Sequence, residues 1–465
     1  MDASTARPTR PHRGDELELR IDSLAFGGAG VARLDGYVVF VAGGMPGDHV
    51  RAVVGKSKRS YAEARVAEIL QPSPERIEPL AEHPGAPWQV LPYERQLEVK
   101  HAQVEEALAR IGRLEGFTLE PIVPAVAPWR YRNKLEYSFG VDGDGRLVCG
   151  FHAPGRWEEI VEVSDCLLAS EPANEARERV VAWCRDQGLG AYDRRRGKGF
   201  LRNLVVREGR RTGQLQLRLV TSQGDLDRDA LAALARPEES VLWTRMDAVG
   251  ETTQGGETEL LAGRERLEEE LGGMTLRISP QAFFQTNTEM AERLYALAIG
   301  YAELRGFERV YDLYCGIGTI GLLIAPRAAE LWGLEIAAEA VADAIANAKR
   351  NEIDNARFFA GDVRLALREL AAQAGRPDVL LLDPPRAGLS QKVIRRVIET
   401  APKRIVYVSC NPTTLAPNAA QLVQAGYALR RVRAVDMFPQ TPHIECVAVL
   451  DHVDRVDRVD RVDHG

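Results

Sequence analysis

A glycine-rich turn at residues 312–321 (DLYCGIGTIG) is the feature that most constrains the fold. Apolar runs precede and follow it, which predicts a strand, a tight loop and the start of a helix. Glycines let such a loop pass close to a ligand, and the N–H groups at the helix start favour polar ligand atoms. Glu335 closes the next apolar run, where a carboxylate can accept both ribose hydroxyls. The two features predict an adenosine site, although glycines at this spacing also serve simple helix–strand packing.

From Met274 onward, helical and strand-like segments alternate, which predicts a parallel sheet covered by helices on both faces. The pattern predicts helices at residues 286–305, 338–350 and 363–374, and strands at 357–360, 379–382, 405–408 and 444–450. A capping box starting at Thr286 is expected to open the first of these helices. Asp362, Asp383 and Cys410 each follow a predicted strand. Open α/β sheets bind ligands at the carboxyl ends of their strands, so these side chains are predicted to share one site.

The first part of the chain has a different pattern. Four short strand-like runs, at residues 17–21, 37–41, 49–54 and 62–69, are separated by glycine turns such as Asp35-Gly36, which predicts a small closed β-barrel. Its surface carries cations and an aromatic residue, as expected of a binder of single-stranded RNA: Arg51, Lys56, Lys58, Arg59, Arg65 and Tyr61. A solvated charged loop is the alternative explanation.

The middle of the chain predicts one helix, at residues 96–114, and then a strand-rich section with two basic runs, at residues 129–134 and 194–202. Either run could contact phosphates, although charge runs are commonly just solvated faces. The net charge of −7 excludes a protein that is basic throughout, but RNA binding needs only a local basic face. The six cysteines are widely spaced and predict neither disulfides nor a metal site. No membrane-spanning run or signal sequence is present, so a cytoplasmic protein is expected.

Three residues could carry the chemistry. Cys410 lies at a strand end before Asn411-Pro412, where a starting helix is expected to lower the thiol pKa and make it a nucleophile. A lone cysteine is more often a small buried filler. The stiff Asp383–Arg386 loop (DPPR) could position a flat polar base, and Glu445 could act as a general base.

A thiol, a carboxylate base and an adenosine site suit one reaction in particular. C5 of uracil is a poor nucleophile, but thiolate addition at C6 produces an enolate that can attack an electrophilic methyl group. A base then removes the C5 proton and the thiolate leaves.

From about Asp15 to Leu450 the chain resembles the RNA uracil-5-methyltransferase family. The matching segments are residues 279–287 (SPQAFFQTN), the glycine loop, DPPR at 383–386, SCNP at 409–412 and PHIE at 442–445. The resemblance implies an OB-like TRAM barrel at 14–72, a β-rich central domain at 73–273 and a Rossmann-like methyltransferase domain at 274–450. A disordered tail at 451–465 is expected from its V-D-R repeats.

The resemblance also implies roles for particular residues. S-adenosyl-L-methionine (SAM) is the implied methyl donor, and the catalytic residues are Cys410, Glu445 and Asp383. The implied cofactor contacts are Gln281, Tyr311, Asp312, Gly316, Gly318, Glu335, Asp362 and Asp383. The expected product is 5-methyluridine in RNA. Because the barrel is present, 23S rRNA is favoured as the substrate and uridine 54 of tRNA is the alternative. A monomer without an obligate protein partner is expected.

Two departures from the family pattern stand out. Many similar members bind an iron–sulfur cluster through four cysteines, but here His83 and Ala86 stand where two thiolates would be and only Cys166 resembles a ligand. One thiolate cannot hold a cluster, so none is predicted. Pro417-Asn418 stands where relatives often have Arg-Asp.

Three other functions are compatible with part of the pattern. A nicotinamide-dependent dehydrogenase would explain the glycine loop and Glu335 but not Cys410 or the basic barrel. A methyltransferase acting on an exocyclic amine usually has an aromatic residue where Arg386 stands. An RNA-binding protein with an inactive catalytic domain would not need the complete set of Cys410, Asp383 and Glu445.

Overall fold

The computed structural model describes residues 10–247, 250 and 252–453. Their strands form three large sheets of six, seven and eight strands and one two-stranded hairpin. The predicted α/β fold with two β-rich regions before it is confirmed. The V-D-R repeats at 454–465 lie outside the described residues, as do residues 1–9. The residue boundaries of the three domains stay predictions.

The first sheet wraps around a small apolar core. Its strands are β1 (Glu16–Arg20), β2 (Ser23–Leu24), β3 (Gly30–Leu34), β4 (Tyr37–Ala42), β5 (His49–Ser57) and β6 (Tyr61–Gln71), in the order β1-β5-β6-β4-β3-β2. Alternate residues of each strand point inward, for example Tyr37, Val39 and Val41 on β4. The four predicted strands are present, but β2 and β3 were missed. The Asp35-Gly36 turn joins β3 to β4 with positive φ at both residues, as the hairpin prediction requires.

A helix leads from the barrel towards the rest of the chain. Helix α1 (Tyr93–Glu106) continues as a π-helical turn at Ala107–Ile111, so it starts three residues before the predicted helix and ends earlier. Strand β7 (Thr118–Val123) follows and joins the edge of the third sheet beside a strand near the end of the described chain.

The second sheet holds the central strands. It contains β8 (Lys134–Val141), β9 (Leu147–Ala153), β10 (Arg156–Glu162), β11 (Leu201–Glu208), β12 (Leu215–Ser222), β13 (Glu239–Met246) and β14 (Glu257–Ala262). Helices α2 (Glu171–Asp186) and α3 (Arg228–Ala232) lie between them in the chain. The order is β10-β9-β8-β11-β12-β13-β14. The hairpin β15 (Leu267–Leu271) and β16 (Met274–Ile278) comes next.

The third sheet is the predicted helix-covered α/β sheet. Its helices are α4 (Thr288–Ala302), α5 (Thr319–Ile324), α6 (Ala338–Arg350), α7 (Val363–Ala374), α8 (Gln391–Thr400) and α9 (Pro412–Gln424). Its further strands are β17 (Arg309–Leu313), β18 (Glu330–Glu335), β19 (Ala356–Ala360), β20 (Val379–Leu382), β21 (Arg404–Ser409), β22 (Tyr427–Val435) and β23 (Glu445–His452). The order is β19-β18-β17-β20-β21-β23-β22-β7. The sheet is mixed and not purely parallel as predicted, because β23 runs antiparallel to both β21 and β22. The strand order reverses between β17 and β20, which is where such sheets bind ligands.

Helix α4 differs from its prediction at both ends. Its N-cap is Asn287 instead of Thr286, because the Asn287 side chain accepts a hydrogen bond from the Met290 amide at 3.2 Å. The helix ends at Ala302, where Glu303 adopts a left-handed conformation, and not at Arg305. Within the described part of the chain, no helix is long and apolar enough to cross a membrane.

Candidate active site

A cavity of about 930 Å³ opens at the carboxyl ends of β17, β18, β20 and β21. Seven of the predicted site residues line it: Gln281, Gly316, Glu335, Asp362, Asp383, Cys410 and Glu445. The sheet therefore brings together side chains that are up to 164 residues apart in the sequence, the distance from Gln281 to Glu445. Ligand sites commonly measure about 300–1,000 Å³, so this cavity is large enough for a small ligand.

Three predicted cofactor residues do not line this cavity. The Tyr311 hydroxyl donates to the Gly375 carbonyl at 2.5 Å, directly after the last residue of α7. The buried Asp312 carboxylate accepts from the Gly321 amide at 3.0 Å, and burial followed by the charge of Asp383 raises its pKa to about 8. Gly318 has a φ of +83° and caps helix α5. These three residues therefore support the fold around the glycine loop instead of lining the cavity.

Glu335 is held at the place where a ribose would be recognised. Its carboxylate accepts hydrogen bonds from the Gly316 amide at 3.2 Å and the Ala337 amide at 2.9 Å. Gly316 itself has a φ of +53°, which brings the glycine loop back towards β18. A carboxylate has about four acceptor positions, so two remain for ribose hydroxyls. These residues fit a ribose, and their contact with SAM stays a prediction.

Asp362 and Gln281 line the same cavity but are engaged with protein groups. Asp362 accepts from the Arg364 amide at 2.9 Å and forms an ion pair with the Arg364 guanidinium. The Gln281 side chain accepts from the Gly255 amide at 2.6 Å and donates to the Thr258 hydroxyl at 3.3 Å. Their contacts with a cofactor stay predictions.

A thiol and two carboxyl groups meet at the inner end of the cavity. Burial raises the pKa of Asp383 to about 7. The pKa of Glu445, which is 4% exposed, lies well above its usual value because of burial and the charge of Asp383. Burial, then Glu445 and Asp383, raise the pKa of Cys410 to about 11. The prediction of a lowered thiol pKa is therefore wrong for this structure, although α9 does start at Pro412, because burial and two acids outweigh the helix dipole.

The DPPR loop is tied to the cysteine motif through the backbone. The Arg386 carbonyl accepts from the Asn411 side chain at 3.1 Å and from the Thr414 hydroxyl at 3.4 Å. Further along, Asn418 accepts from the Leu389 amide at 2.8 Å and from the Tyr407 hydroxyl at 2.9 Å. Asn418, one of the two residues that depart from the family pattern, is thus a buried brace for the end of this loop.

A fully buried ion pair anchors the segment that leads to Glu445. Lys100 on α1 contacts Asp436 at 2.6 Å and donates to the Phe438 carbonyl at 3.1 Å. Tyr93 donates to Asp436 at 2.8 Å, and Gln96 donates to the Gln440 side chain at 2.7 Å. Helix α1 therefore holds the turn that carries Phe438 and His443 into the cavity.

Sequence reasoning gave no site role to several residues that line the cavity. They include Tyr314, Phe283, Ile336 and His443. Phe283 and Ile336 are 68% and 69% exposed at the cavity rim. Burial and the nearby Arg386 and Arg132 lower the pKa of His443 to about 4, so this ring is neutral. Apolar and neutral side chains carry no chemical signal in a sequence, and only their unusual exposure or position reveals them.

The two basic runs differ in their relation to the cavity. Arg132 lines it, with the guanidinium 5.7 Å from the centre of the Phe438 ring. In the second run, Arg195 pairs with Glu158 and Arg196 with Asp193 at 3.6 Å. The first run is therefore the better placed to contact a bound substrate.

The position of the family's metal cluster is occupied by packed side chains. His83 Nε2 lies 3.2 Å from Cys166 Sγ, and both residues are buried. Across residues 10–247, 250 and 252–453, no group of three or more His, Cys, Asp or Glu side chains is arranged to hold a metal ion. The absence of an iron–sulfur cluster stays a prediction.

Comparisons with known proteins show which families and relatives this chain is similar to. Residues 263–453 match the family described as tRNA (Uracil-5-)-methyltransferase, and residues 11–67 match the TRAM domain. An uncharacterized RNA methyltransferase of Halalkalibacterium halodurans is 35% identical over 449 residues, which cover 95% of this chain and 98% of that protein. One from Porphyromonas gingivalis is 38% identical over 461 residues, which cover 93% and 99%.

A solved structure is similar over nearly the whole chain. It is the Pyrococcus abyssi tRNA (uracil-54, C5)-methyltransferase in complex with S-adenosyl-L-homocysteine. The TM-score is 0.75 at 27% identity, with 93% of this chain and 100% of that chain covered.

Fold, site and comparisons define a SAM-dependent methyltransferase that acts on RNA. More narrowly, the chain belongs to the RNA uracil-5-methyltransferase family, with a TRAM domain before the catalytic sheet.

Proposed function

We propose that this enzyme methylates C5 of a uridine in RNA through a covalent bond between Cys410 and C6 of the base. The observation that carries the proposal is the meeting of Cys410, Asp383 and Glu445 in the cavity that also contains Glu335 and the glycine loop. A methyltransferase acting on an exocyclic amine would need neither the thiol nor a second acid at this position.

Each of the three residues has a defined part in the reaction. Cys410, as the thiolate, adds to C6 of uracil and leaves C5 as an enolate carbon. SAM, when bound, supplies the methyl group that C5 takes. Glu445 then removes the proton from C5, and the electrons of that C–H bond expel the Cys410 thiolate from C6. Asp383, which is uncharged below its pKa of about 7, can hydrogen-bond to the base as a donor.

The cavity suits an unstacked base. A uridine within a helix cannot present C5 and C6 to groups at the bottom of a pocket, so it must be flipped out of its stack. Arg386 and Arg132 lie at the cavity wall, where guanidinium groups can contact phosphates or stack on neighbouring bases. We propose that these two arginines hold the nucleotides on either side of the target.

We propose 23S rRNA as the substrate, because the TRAM domain provides an additional RNA-binding surface for a large RNA. Arg51 and Lys56 of this surface pair with Glu68 and Glu63, whereas Lys58 and Arg59 are exposed. The alternative, uridine 54 of tRNA, is favoured by the similarity to the Pyrococcus abyssi enzyme, which also covers the N-terminal part of the chain. That the enzyme is a cytoplasmic monomer stays a prediction.

A mechanism-based trap tests the proposal. Fluorine at C5 cannot leave as a proton, so incubation with SAM and 5-fluorouridine-substituted RNA is expected to stop at the covalent complex. Mass spectrometry should find the methylated nucleotide on Cys410, and sequencing of the attached RNA should identify the substrate. If SAM and RNA both bind but no adduct forms, C5 methylation through Cys410 is excluded.

The pH dependence of the chemical step follows from the two acids and the thiol. Cys410 reacts as the thiolate and its pKa is raised to about 11, so the reactive fraction increases with pH. Glu445 must be ionised, and its pKa is also raised. Asp383 loses its donor proton above its pKa of about 7, which offsets part of this gain. The single-turnover rate is therefore expected to rise by no more than about tenfold per unit between pH 7 and pH 9. SAM affinity over the same range is the control, and a flat or falling rate would show that neither group titrates as described.

A further inference from the structure

A second, smaller cavity lies between the TRAM barrel and the catalytic part of the chain. Its volume is about 330 Å³. The barrel contributes Gly28, Gly43 and Met45, the connecting segment contributes Arg76 and Trp88, and the turn before Glu445 contributes Pro442. The volume is at the lower end of the range for ligand sites, about 300–1,000 Å³, which suits a single base or nucleoside.

One polar group in this cavity has no partner. Trp88 is 1% exposed, and its Nε1 donates to no group in the described part of the chain. Buried tryptophan N–H groups normally donate a hydrogen bond, so an unpaired one is unfavourable. A Cβ at position 28 would lie 3.0 Å from Pro442 and 3.3 Å from Nε1, so any side chain larger than that of glycine would press against both the donor and Pro442.

The other residues that line this cavity are suited to binding an uncharged base. Pro442, which is partly exposed, offers apolar surface to the face of a base, and Met45, which is 3% exposed, adds to the apolar wall. Arg76 uses Nε and Nη2 to bind Asp48, at 2.8 and 2.7 Å, and is held rigidly at the edge of the cavity. The charge of this pair is balanced, so the cavity favours a neutral heterocycle more than a free anion.

The small cavity is next to the catalytic one. Pro442 directly precedes His443, which lines the large cavity. On the barrel side, Phe26 is two residues from Gly28, and its ring centre lies 6.0 Å from the Arg386 guanidinium. The barrel turn at residues 25–29 therefore lines the small cavity and contacts a residue in the wall of the large one.

We propose that the cavity between Gly28, Trp88 and Pro442 binds a second unstacked base of the substrate RNA, close in sequence to the target uridine, with the Trp88 N–H donating to it. This inference rests on RNA being the substrate of the proposed reaction. It gives the TRAM domain a role in choosing the nucleotide sequence around the target, in addition to any contact with phosphates.

Two variants test the small cavity by changing different properties of it. Trp88→Phe removes the donor and keeps an aromatic ring, and Ala42→Leu fills the cavity from an exposed position at the end of β4. Trp88→Phe is expected to weaken binding of a 23S rRNA or tRNA transcript about tenfold, as for the loss of one buried hydrogen bond. Ala42→Leu is expected to weaken it at least as much, because the larger side chain excludes the base from the cavity. SAM affinity should not change. Ala372→Leu, the same substitution at an exposed position on α7, is the control and should bind RNA as the wild type does.

The measurement of RNA affinity tests the small cavity independently of the methylation reaction. RNA affinity is measured without SAM, so it does not depend on whether Cys410 forms an adduct. As a second measurement, the 19F resonance of Trp88 in protein labelled with 5-fluorotryptophan, identified by its absence in Trp88→Phe, is expected to shift when RNA is added. If both variants bind each transcript with wild-type affinity and the resonance does not move, the cavity holds water only and the inference is wrong.

Discussion

Replacing Cys410 by alanine is expected to reduce methyl transfer to RNA by about 10⁴-fold or more, as for other enzymes that lose a covalent nucleophile. Without the thiolate, C5 of uracil is not activated, and no other cysteine among the described residues lines the cavity. Cys446 is adjacent to Glu445 in the sequence but is fully buried in β23. SAM and RNA affinities should remain close to those of the wild type, because alanine is smaller and removes no charge at neutral pH.

The measurement is single-turnover transfer of a labelled methyl group to RNA, together with equilibrium binding of each substrate. Cys184→Ala is the matched control, since it removes a buried thiol from α2, which does not contribute to the cavity. Turnover by Cys410→Ala within tenfold of the wild type would exclude the covalent mechanism. Loss of RNA binding together with activity would instead point to a structural role for the thiol.

The sequence predicts the fold best where a segment is either fully buried or clearly amphipathic. The helices Ala338–Arg350 and Val363–Ala374 and the strand Val379–Leu382 have the predicted ends. The sequence pattern does not predict β2 and β3, because the glycines within 27–30 and at 36 look like breaks between strands. The pairing of β7 with β22 could not be predicted, since it joins segments about 310 residues apart, such as Leu119 and Val432, and no local pattern encodes such a contact.

The features of the candidate site also fall into those that the sequence predicts and those that it does not. Strand-end position alone predicted that Asp383, Cys410 and Glu335 lie together. The pKa of Cys410 could not be predicted, because it depends on burial and on two acids from other strands. The Lys100–Asp436 pair was also missed, since its partners are 336 residues apart and each looks like an ordinary surface charge in the sequence. Long-range electrostatics therefore limits what the sequence shows of this site.

Replacing Glu445 by glutamine is expected to stop the reaction after methyl transfer and before release. Glutamine has almost the same shape but cannot take the C5 proton, so the rate of product release should fall by about 10²–10⁴-fold, the usual contribution of a general base. Formation of the bond to C6 should not suffer, because Glu445 is one of the groups that raise the pKa of Cys410 and its loss favours the thiolate.

This variant should therefore accumulate a covalent complex with ordinary, unfluorinated RNA. Denaturing electrophoresis would detect the complex, and mass spectrometry should show a methylated uridine on Cys410. Glu369→Gln removes an exposed carboxylate on α7 that does not line the cavity and serves as the control, with wild-type turnover expected. The double variant Cys410→Ala/Glu445→Gln should form no complex. If Glu445→Gln loses activity without trapping RNA, Glu445 acts before the methylated adduct forms and is not the base that releases the product. If the variant keeps wild-type turnover, another group removes the proton. Asp383, once ionised above its pKa of about 7, then becomes the residue to test, since within the described chain it is the other carboxyl group whose charge raises the pKa of the Cys410 thiol.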